Sequence, residues 1–164
     1  MNLEKAHYVV ATAIVIKYNK YLVIKRAPHE KVRPNYWTVP GGKIEKSDYI
    51  NRKVDIGVHW YNIIEDVLRR EVLEETGLKI KNIRYLTSLV FVRPDNIPTI
   101  VLSMYADYES GEIKLDKDHT DYAWVTLEEA KDYKLIEGIY EEIEMLDRKL
   151  KGEDVDEWSK SKNK

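Results

Sequence analysis

Glu71, Glu74 and Glu75 stand close together in the stretch REVLEETGL at 70–78. On a helical wheel of about 100° per residue, Ile64, Val67 and Leu68 share one face, and that face continues into the three glutamates. Neighbours at i, i+3 and i+4 lie about 5–6 Å apart at Cβ. Two like charges 4 Å apart near a protein surface interact by roughly 4 kcal/mol. One reading is a solvated acidic face, because glutamate is a good helix former. The other is a site for a hard divalent cation, which would offset the repulsion. The carboxylates extend the core-facing stripe, which favours the second reading. Magnesium takes one or two protein carboxylates and completes its shell with water and substrate phosphates. Three glutamates without a nearby His or Cys point to Mg2+ or Mn2+ rather than zinc. Arg70 is either a surface partner of Glu74 one turn on or orients a neighbouring glutamate by a charge-assisted hydrogen bond.

The helix that must carry these groups is expected from Asn62 to Thr76. Asn62 is its cap, Glu65 the reciprocal partner, and Gly77 the left-handed stop. Upstream, residues 8–16 are β-branched and apolar, which favours a strand; Asn19-Lys20 reads as a turn and 21–25 as the second arm of a hairpin. Residues 26–38 read as a loop, and Val39-Pro40-Gly41-Gly42 as a tight turn leading into extended Lys43 and Ile44. Strands are expected at 85–92, 99–108 and 122–125, and a short helix at 126–132. Residues 135–150 form an amphipathic helix. Residues 47–61 show no clear period. The pattern suggests a mixed sheet flanked by helices.

The chain has 164 residues, enough for one domain with an ordinary core. That domain is expected over residues 1–150, with a polar, frayed tail at 151–164. Lys plus Arg total 27 and Asp plus Glu total 29. The balance gives no global pull toward nucleic acid or an anionic membrane, so a polyanionic substrate would have to be met by metal ions or a few placed cations. The absence of cysteine excludes disulfides, thiolate nucleophiles and cysteine-bound zinc. The longest apolar run, Val9 to Ile16, is too short to span a bilayer. No signal peptide is read, and the cytoplasm is the expected location.

The run Arg70-Glu71-Val72-Leu73-Glu74-Glu75-Thr76-Gly77-Leu78, with Gly42 behind Pro40-Gly41 and Trp37 just before, resembles the Nudix hydrolase signature at every position of its second half. The order of elements is similar to that family across roughly residues 7–150. The resemblance implies an α/β (α+β) fold, an α/β/α sandwich around a mixed β-sheet. It also implies hydrolysis of a nucleoside diphosphate linked to another group. Carried over, Glu71, Glu74 and Glu75 would ligate magnesium (manganese is possible), and the Gly41 carbonyl would add a ligand. Arg70 would hold Glu71, so that Arg70, Glu71 and Glu74 form the catalytic set. A further acid often comes from a loop before a Trp-containing strand. Asp118 and Asp121, ahead of Trp124, are the candidates, against a reading as solvated loop acids.

One departure stands out. The usual signature has a Glu six residues after the glycine and eight before the arginine. Counting forward from Gly42 gives Asp48, whereas counting back from Arg70 gives Asn62. An insertion near 47–61 is therefore expected. It holds Tyr49, Arg52, Lys53, His59, Trp60 and Tyr61, and reads as a cover over substrate, an ornamental loop, or a contact in a possible homodimer. Arg26, Arg33 and Lys43 are candidates for phosphate contacts. Tyr36 and Trp37 could stack on a base, though Trp37 is as readily core. Nucleoside triphosphates cleaved to monophosphate and pyrophosphate are the favoured substrates. Pro94, sixteen residues past the signature, is a spacing similar to that of ADP-ribose hydrolases; nucleotide sugars and dinucleoside polyphosphates stay open. A reading of another class is a non-catalytic nucleotide sensor. Such domains often lose signature glutamates, whereas Glu71, Glu74 and Glu75 are all present here.

Overall fold

The computed structural model describes residues 3–160. β1 (Tyr8–Lys17) and β2 (Lys20–Arg26) form the first hairpin. Its turn is Tyr18-Asn19, one residue earlier than expected, because both central positions take positive φ (49° and 58°). That geometry matches the twist of the strands it joins. β3 (Trp37–Thr38) pairs antiparallel with β2, and β4 (Gly41–Lys43) pairs antiparallel with β1. The glycine pair is thus part of a strand and not a free turn. α1 (Ile63–Thr76) follows, then β5 (Lys79–Val92), β6 (Pro98–Ser110), β7 (His119–Val125), α2 (Leu127–Ala130) and α3 (Ile139–Leu150).

The sheet runs β3-β2-β1-β6-β5, with β4 also beside β1 and β7 beside β2. β1 and β6 are parallel, while β5 and β6 are antiparallel, so the sheet is mixed. Strand side chains alternate between its faces. Ala11, Ala13 and Val15 join Leu68 and Val72 of α1 on one face. Ile14 and Tyr105 join Tyr140, Ile143 and Leu146 of α3 on the other. The result is the expected α/β/α arrangement. Among the described residues no helix is long and apolar enough to cross a membrane.

Several boundaries differ from expectation for local reasons. Asn62 caps α1 with φ 59° and without a side-chain hydrogen bond, so the reciprocal pair with Glu65 is absent. Gly77 ends α1 as expected, at φ 76°. The last α1 carbonyls are met from outside: Lys114 N–H donates to Thr76 O at 2.9 Å and Asp116 N–H to Glu75 O at 3.3 Å. The segment before β7 is thereby fastened to the end of α1. α3 begins at Ile139, not near 135, because Gly138 (φ 90°) turns the chain; Ile136 N–H instead reaches Trp37 O. The expected frayed tail also needs correction within the described residues. Arg148 binds Glu153 at 2.6 Å, and Val155 is buried in the α3-side core.

Candidate functional site

α1 carries the acidic cluster to β4. Glu71 and Glu75 are partly buried along the sheet-facing stripe, whereas Glu74 is exposed. The stripe therefore holds two of the three carboxylates, with the third at its rim. The Gly41 N–H donates to Glu75 Oε2 at 3.0 Å. A Cβ at Gly42 would overlap the Glu71 carboxyl group, with Oε2 at 2.7 Å. A Cβ at Gly41 would collide with the backbone of β1, at Ala11 O and at Thr12 Cα (2.7 Å). Glycine is needed at both positions for close approach, to the carboxylates at one and to the neighbouring strand at the other.

The cluster is electrostatically loaded. Burial pushes Glu75 up to about 8, aided by Glu71 and Asp116 and opposed by the Gly41 N–H and by Arg26. Burial also raises Glu71, with Arg70 opposing. Arg70 is the local counterweight. Its guanidinium lies 2.9 Å from Asp48 Oδ1, 2.9 Å from Glu71 Oε1 and 3.0 Å from Glu74 Oε2. The contact with Asp48 resolves the two counts. Asp48, reached by counting forward from Gly42, meets Arg70; Asn62, reached by counting back, only starts the helix. The extra residues thus follow Asp48.

The inserted segment is tied down by its own side chains. Tyr49 and Trp60 meet at 5.3 Å between ring centroids. Trp60 Nε1 donates to Arg52 O at 3.0 Å, and Arg52 pairs with Asp66 of α1 at 3.0 Å.

The remaining candidates fall in different surroundings. Arg26 is engaged with Glu30 at 2.6 Å and with Val32 O at 2.9 Å, yet close enough to act on Glu75. Lys43 Nζ sits 5.4 Å from the Tyr8 ring centroid. Trp37, open in the sequence between a stacking surface and core, is partly buried. Its ring meets Tyr133 edge-on at 4.8 Å and packs against the α3-side core, because β3 is held between β2 and the segment before α3. Tyr36 is flanked by Arg33 and Lys134. Asp121 is exposed, and its carboxylate accepts from the Tyr122 N–H. Asp118 binds His29 at 2.9 Å.

Asp116 was not among the sequence candidates. It is fastened to the end of α1, acts on Glu75 and meets His119 Nδ1 at 2.7 Å. Its place depends on a tertiary backbone contact, and no spacing rule reveals it. His29, Glu30 and Asp118 also bring one ligand atom each within 4.8 Å of one another, although Glu30 is already bound by Arg26.

The donor set at α1 fits a hard divalent cation. It is all oxygen, partly buried and short of positive charge. The burial that raises Glu71 and Glu75 would be offset by a bound dication.

Residues 7–146 match the family model of the NUDIX domain. The NAD-capped RNA hydrolase NudC of Photobacterium profundum is 33% identical over 116 residues, covering 70% of this chain and 37% of that protein. The chain thus spans well under half the length of that relative. Among solved structures, the MutT NUDIX hydrolase of Burkholderia pseudomallei superposes with a TM-score of 0.67 at 20% identity, covering 85% of this chain and 98% of that one. The NUDIX domain of Shewanella oneidensis NrtR, solved with ADP ribose, gives 0.67 at 18% identity, covering 89% and 90%. At these identities the structural likeness speaks for the fold. With the family model matched over most of its length, the chain belongs to the Nudix hydrolase family.

Proposed function

We propose that this chain hydrolyses the pyrophosphate link of nucleoside diphosphate-linked compounds, with Mg2+ or Mn2+, in the cytoplasm. The observation that carries this reading is the meeting of Glu71 and Glu75 with the side-chain-free Gly41-Gly42 strand. It places partly buried carboxylates against backbone with room for little else. Glu71 and Glu75, with Glu74 at the rim and the Gly41 carbonyl, would hold the cation. When bound, it supplies charge neutralisation at the phosphate oxygens and acidifies water. Arg70 is a positioning residue: it fixes Glu71 and Glu74 and is itself fixed by Asp48. The Gly41 N–H fixes Glu75. In the reaction water adds to phosphorus, the bridging P–O bond breaks, and a carboxylate of the cluster takes the proton of the attacking water. Arg26, which acts on Glu75, and Lys43, two residues beyond Gly41, would offer positive charge to the polyphosphate.

Nucleoside triphosphates, giving monophosphate and pyrophosphate, are the first substrate class. A second class, compounds in which a diphosphate joins adenosine to another group, is favoured by the names of the relatives: NAD-capped RNA for one, ADP ribose for another. The test is a panel of triphosphates, ADP-ribose and dinucleotides with Mg2+ in oxygen-18 water. The expected result is label in monophosphate or pyrophosphate and none in orthophosphate. A larger kcat/KM for ADP-ribose or NAD than for every triphosphate would move the assignment to the second class. No turnover of any of them would refute the hydrolase reading.

A further inference from the structure

β5 closes one side of the sheet and, among the described residues, pairs with β6 alone. Its run Tyr85-Leu86-Thr87-Ser88-Leu89-Val90-Phe91-Val92 holds no charge, no proline and no glycine. Native edge strands are ordinarily short, or carry lysine, proline or a bulge that discourages further pairing. The irregularities of β5 all lie before Thr87, and from there to Val92 its register with β6 is unbroken. The last six residues of the strand therefore present an unguarded row of backbone groups.

Both faces of this stretch are apolar and open. Residues directly opposite each other in paired strands point to the same face. Thr87 is opposite Ser103, whose Oγ donates to Glu142 of α3 at 3.1 Å, so Leu89 and Phe91 lie on the α3 side. Ser88 is opposite Leu102, which packs with the α1-side core, so Val90 and Val92 lie on the α1 side. Leu89 and Phe91 are 37% and 48% exposed, and Val90 and Val92 are 59% and 66% exposed. Neither helix covers them. A strand with a solvated face alternates apolar with polar residues, whereas an unbroken apolar run is the pattern of a strand buried on both faces.

We propose that β5 is the contact surface for a second copy of this chain: two β5 strands pair antiparallel about a two-fold axis through Val90, and the sheet continues from one copy into the other. A two-fold perpendicular to the sheet uses the same edge on both copies and keeps like faces together. Val90 then stands opposite its own copy, Leu89 opposite Phe91 of the partner subunit, and Ser88 opposite Val92 of the partner subunit. Cross-strand pairs of aromatic and aliphatic side chains stabilise such a contact. Charge agrees with this register. Arg84 and Arg93 bracket the run, and each is already paired, with Asp107 at 3.0 Å and with Asp95 at 3.1 Å. With Val90 on the axis, Arg93 falls beside Thr87 of the partner subunit and not beside a second arginine. The area agrees as well. Tyr85, Leu89, Val90, Phe91, Val92 and Ile97 are each 36% to 66% exposed. At about 150–250 Å² for an aromatic side chain and somewhat less for an aliphatic one, they leave on the order of 500 Å² of apolar surface. A specific interface takes about 800 Å² from each partner, of which ~57% is apolar. A foreign strand would match this edge only with apolar side chains on both of its faces, which is the pattern of β5 itself.

The test reads association and not activity, so its outcome is independent of the hydrolase reading. Sedimentation equilibrium at micromolar concentration is run on wild type and Val90→Lys, and oxidative crosslinking on Val90→Cys and Val58→Cys. Wild type is expected to be a dimer. Val90→Lys sets two like charges opposite each other on the axis, and is expected to weaken the dimer ~100-fold while melting near the wild-type temperature, because Val90 is exposed. The chain has no cysteine, so each cysteine variant adds one thiol per copy. Directly opposite Cα atoms in an antiparallel pair lie about 4.5–5.5 Å apart, within the span of a disulfide. Val90→Cys is therefore expected to form covalent dimers well before Val58→Cys, whose site in the inserted segment is 76% exposed. A monomeric wild type overturns the proposal. A dimer that Val90→Lys leaves intact overturns it too, as does crosslinking no faster at position 90 than at position 58.

Discussion

Adding one methyl group at Gly42 should disable the site without unfolding the protein. Gly42 does not have a positive φ, so alanine is permitted by the backbone. The three atoms nearest the new Cβ all belong to the Glu71 carboxyl group, with Oε2 at 2.7 Å. Comfortable carbon contacts begin near ~3.5 Å, so the carboxylate must retreat by about 1 Å. It is the far end of a flexible side chain, and the retreat costs the fold little. It does matter to a metal site, because a misplacement of about 1 Å can lower a rate by ~100-fold. The same change at Gly41 meets Ala11 O and Thr12 Cα, which are backbone and cannot retreat. Gly42→Ala should therefore keep the wild-type melting temperature within a few degrees, lose about 100-fold in kcat/KM, and bind Mg2+ more weakly. Gly41→Ala should melt clearly lower. The assays are thermal melting, steady-state kinetics and a Mg2+ titration of initial rate. Gly42→Ala with wild-type turnover and metal dependence would refute the placement of Glu71 at the site.

Three further outcomes are expected. Glu75→Gln should keep the fold, since it removes charge from a crowded cluster, yet lose at least ~100-fold in rate; full turnover, checked by kinetics with and without chelator, would remove the proposed mechanism. Glu142 gives a pH signature in denaturant unfolding. Its folded value of about 7 lies above the ordinary 4.5, with burial as the main cause and Glu141 adding to it. Its contribution to stability is therefore fully present below pH 4.5, falls as pH rises to about 7, and amounts to about 3 kcal/mol in all. Glu142→Gln should flatten that stretch of the curve, and parallel curves for variant and wild type would contradict the burial argument. Replacing residues 50–59 with a short Gly-Ser linker, while keeping Asp48, should leave metal affinity intact and raise KM or change substrate ranking. Unchanged KM and ranking would show that the segment is not a substrate cover.

What the sequence revealed was what repeats with a regular period or sits in a fixed register. The apolar positions of α1 recur at helical spacing, so the helix, its Gly77 stop and its acidic stripe were all legible. The β1–β2 hairpin was legible from its β-branched run. Contacts made at a distance were not. Trp37 is partly buried against Tyr133 and the α3-side core, about a hundred residues further along, and its type alone suits either a core or a stacking surface. Asn62 has the right side chain for a cap, yet the chain enters α1 from the left-handed region and the side chain is not used. Glu74 shares a helical stripe with Glu71 and Glu75 on a wheel, but it is exposed where the other two are partly buried. Asp116 is placed by a backbone hydrogen bond to Glu75 O, which no local pattern encodes.

The insertion shows why the two counts in the sequence disagreed without harm to the site. Asp48 is fixed near β4 by a short helical turn, where Glu45 N–H donates to Asp48 Oδ2 at 2.7 Å. Arg70 is fixed on α1 by packing of the residues around it. Their contact at 2.9 Å depends on those two anchors and not on the length of chain between them. Lengthening a loop whose ends are already held costs only about 0.6 kcal/mol per doubling. The segment after Asp48 could therefore grow while both ends of the Arg70 contact stayed in place. The contact of Tyr49 with Trp60 links the added residues to one another, and that of Arg52 with Asp66 links them to α1. A signature read as fixed spacing is broken here, yet the same signature read as a set of contacts is whole. The aspartate found by counting forward from the glycine is the one that Arg70 meets.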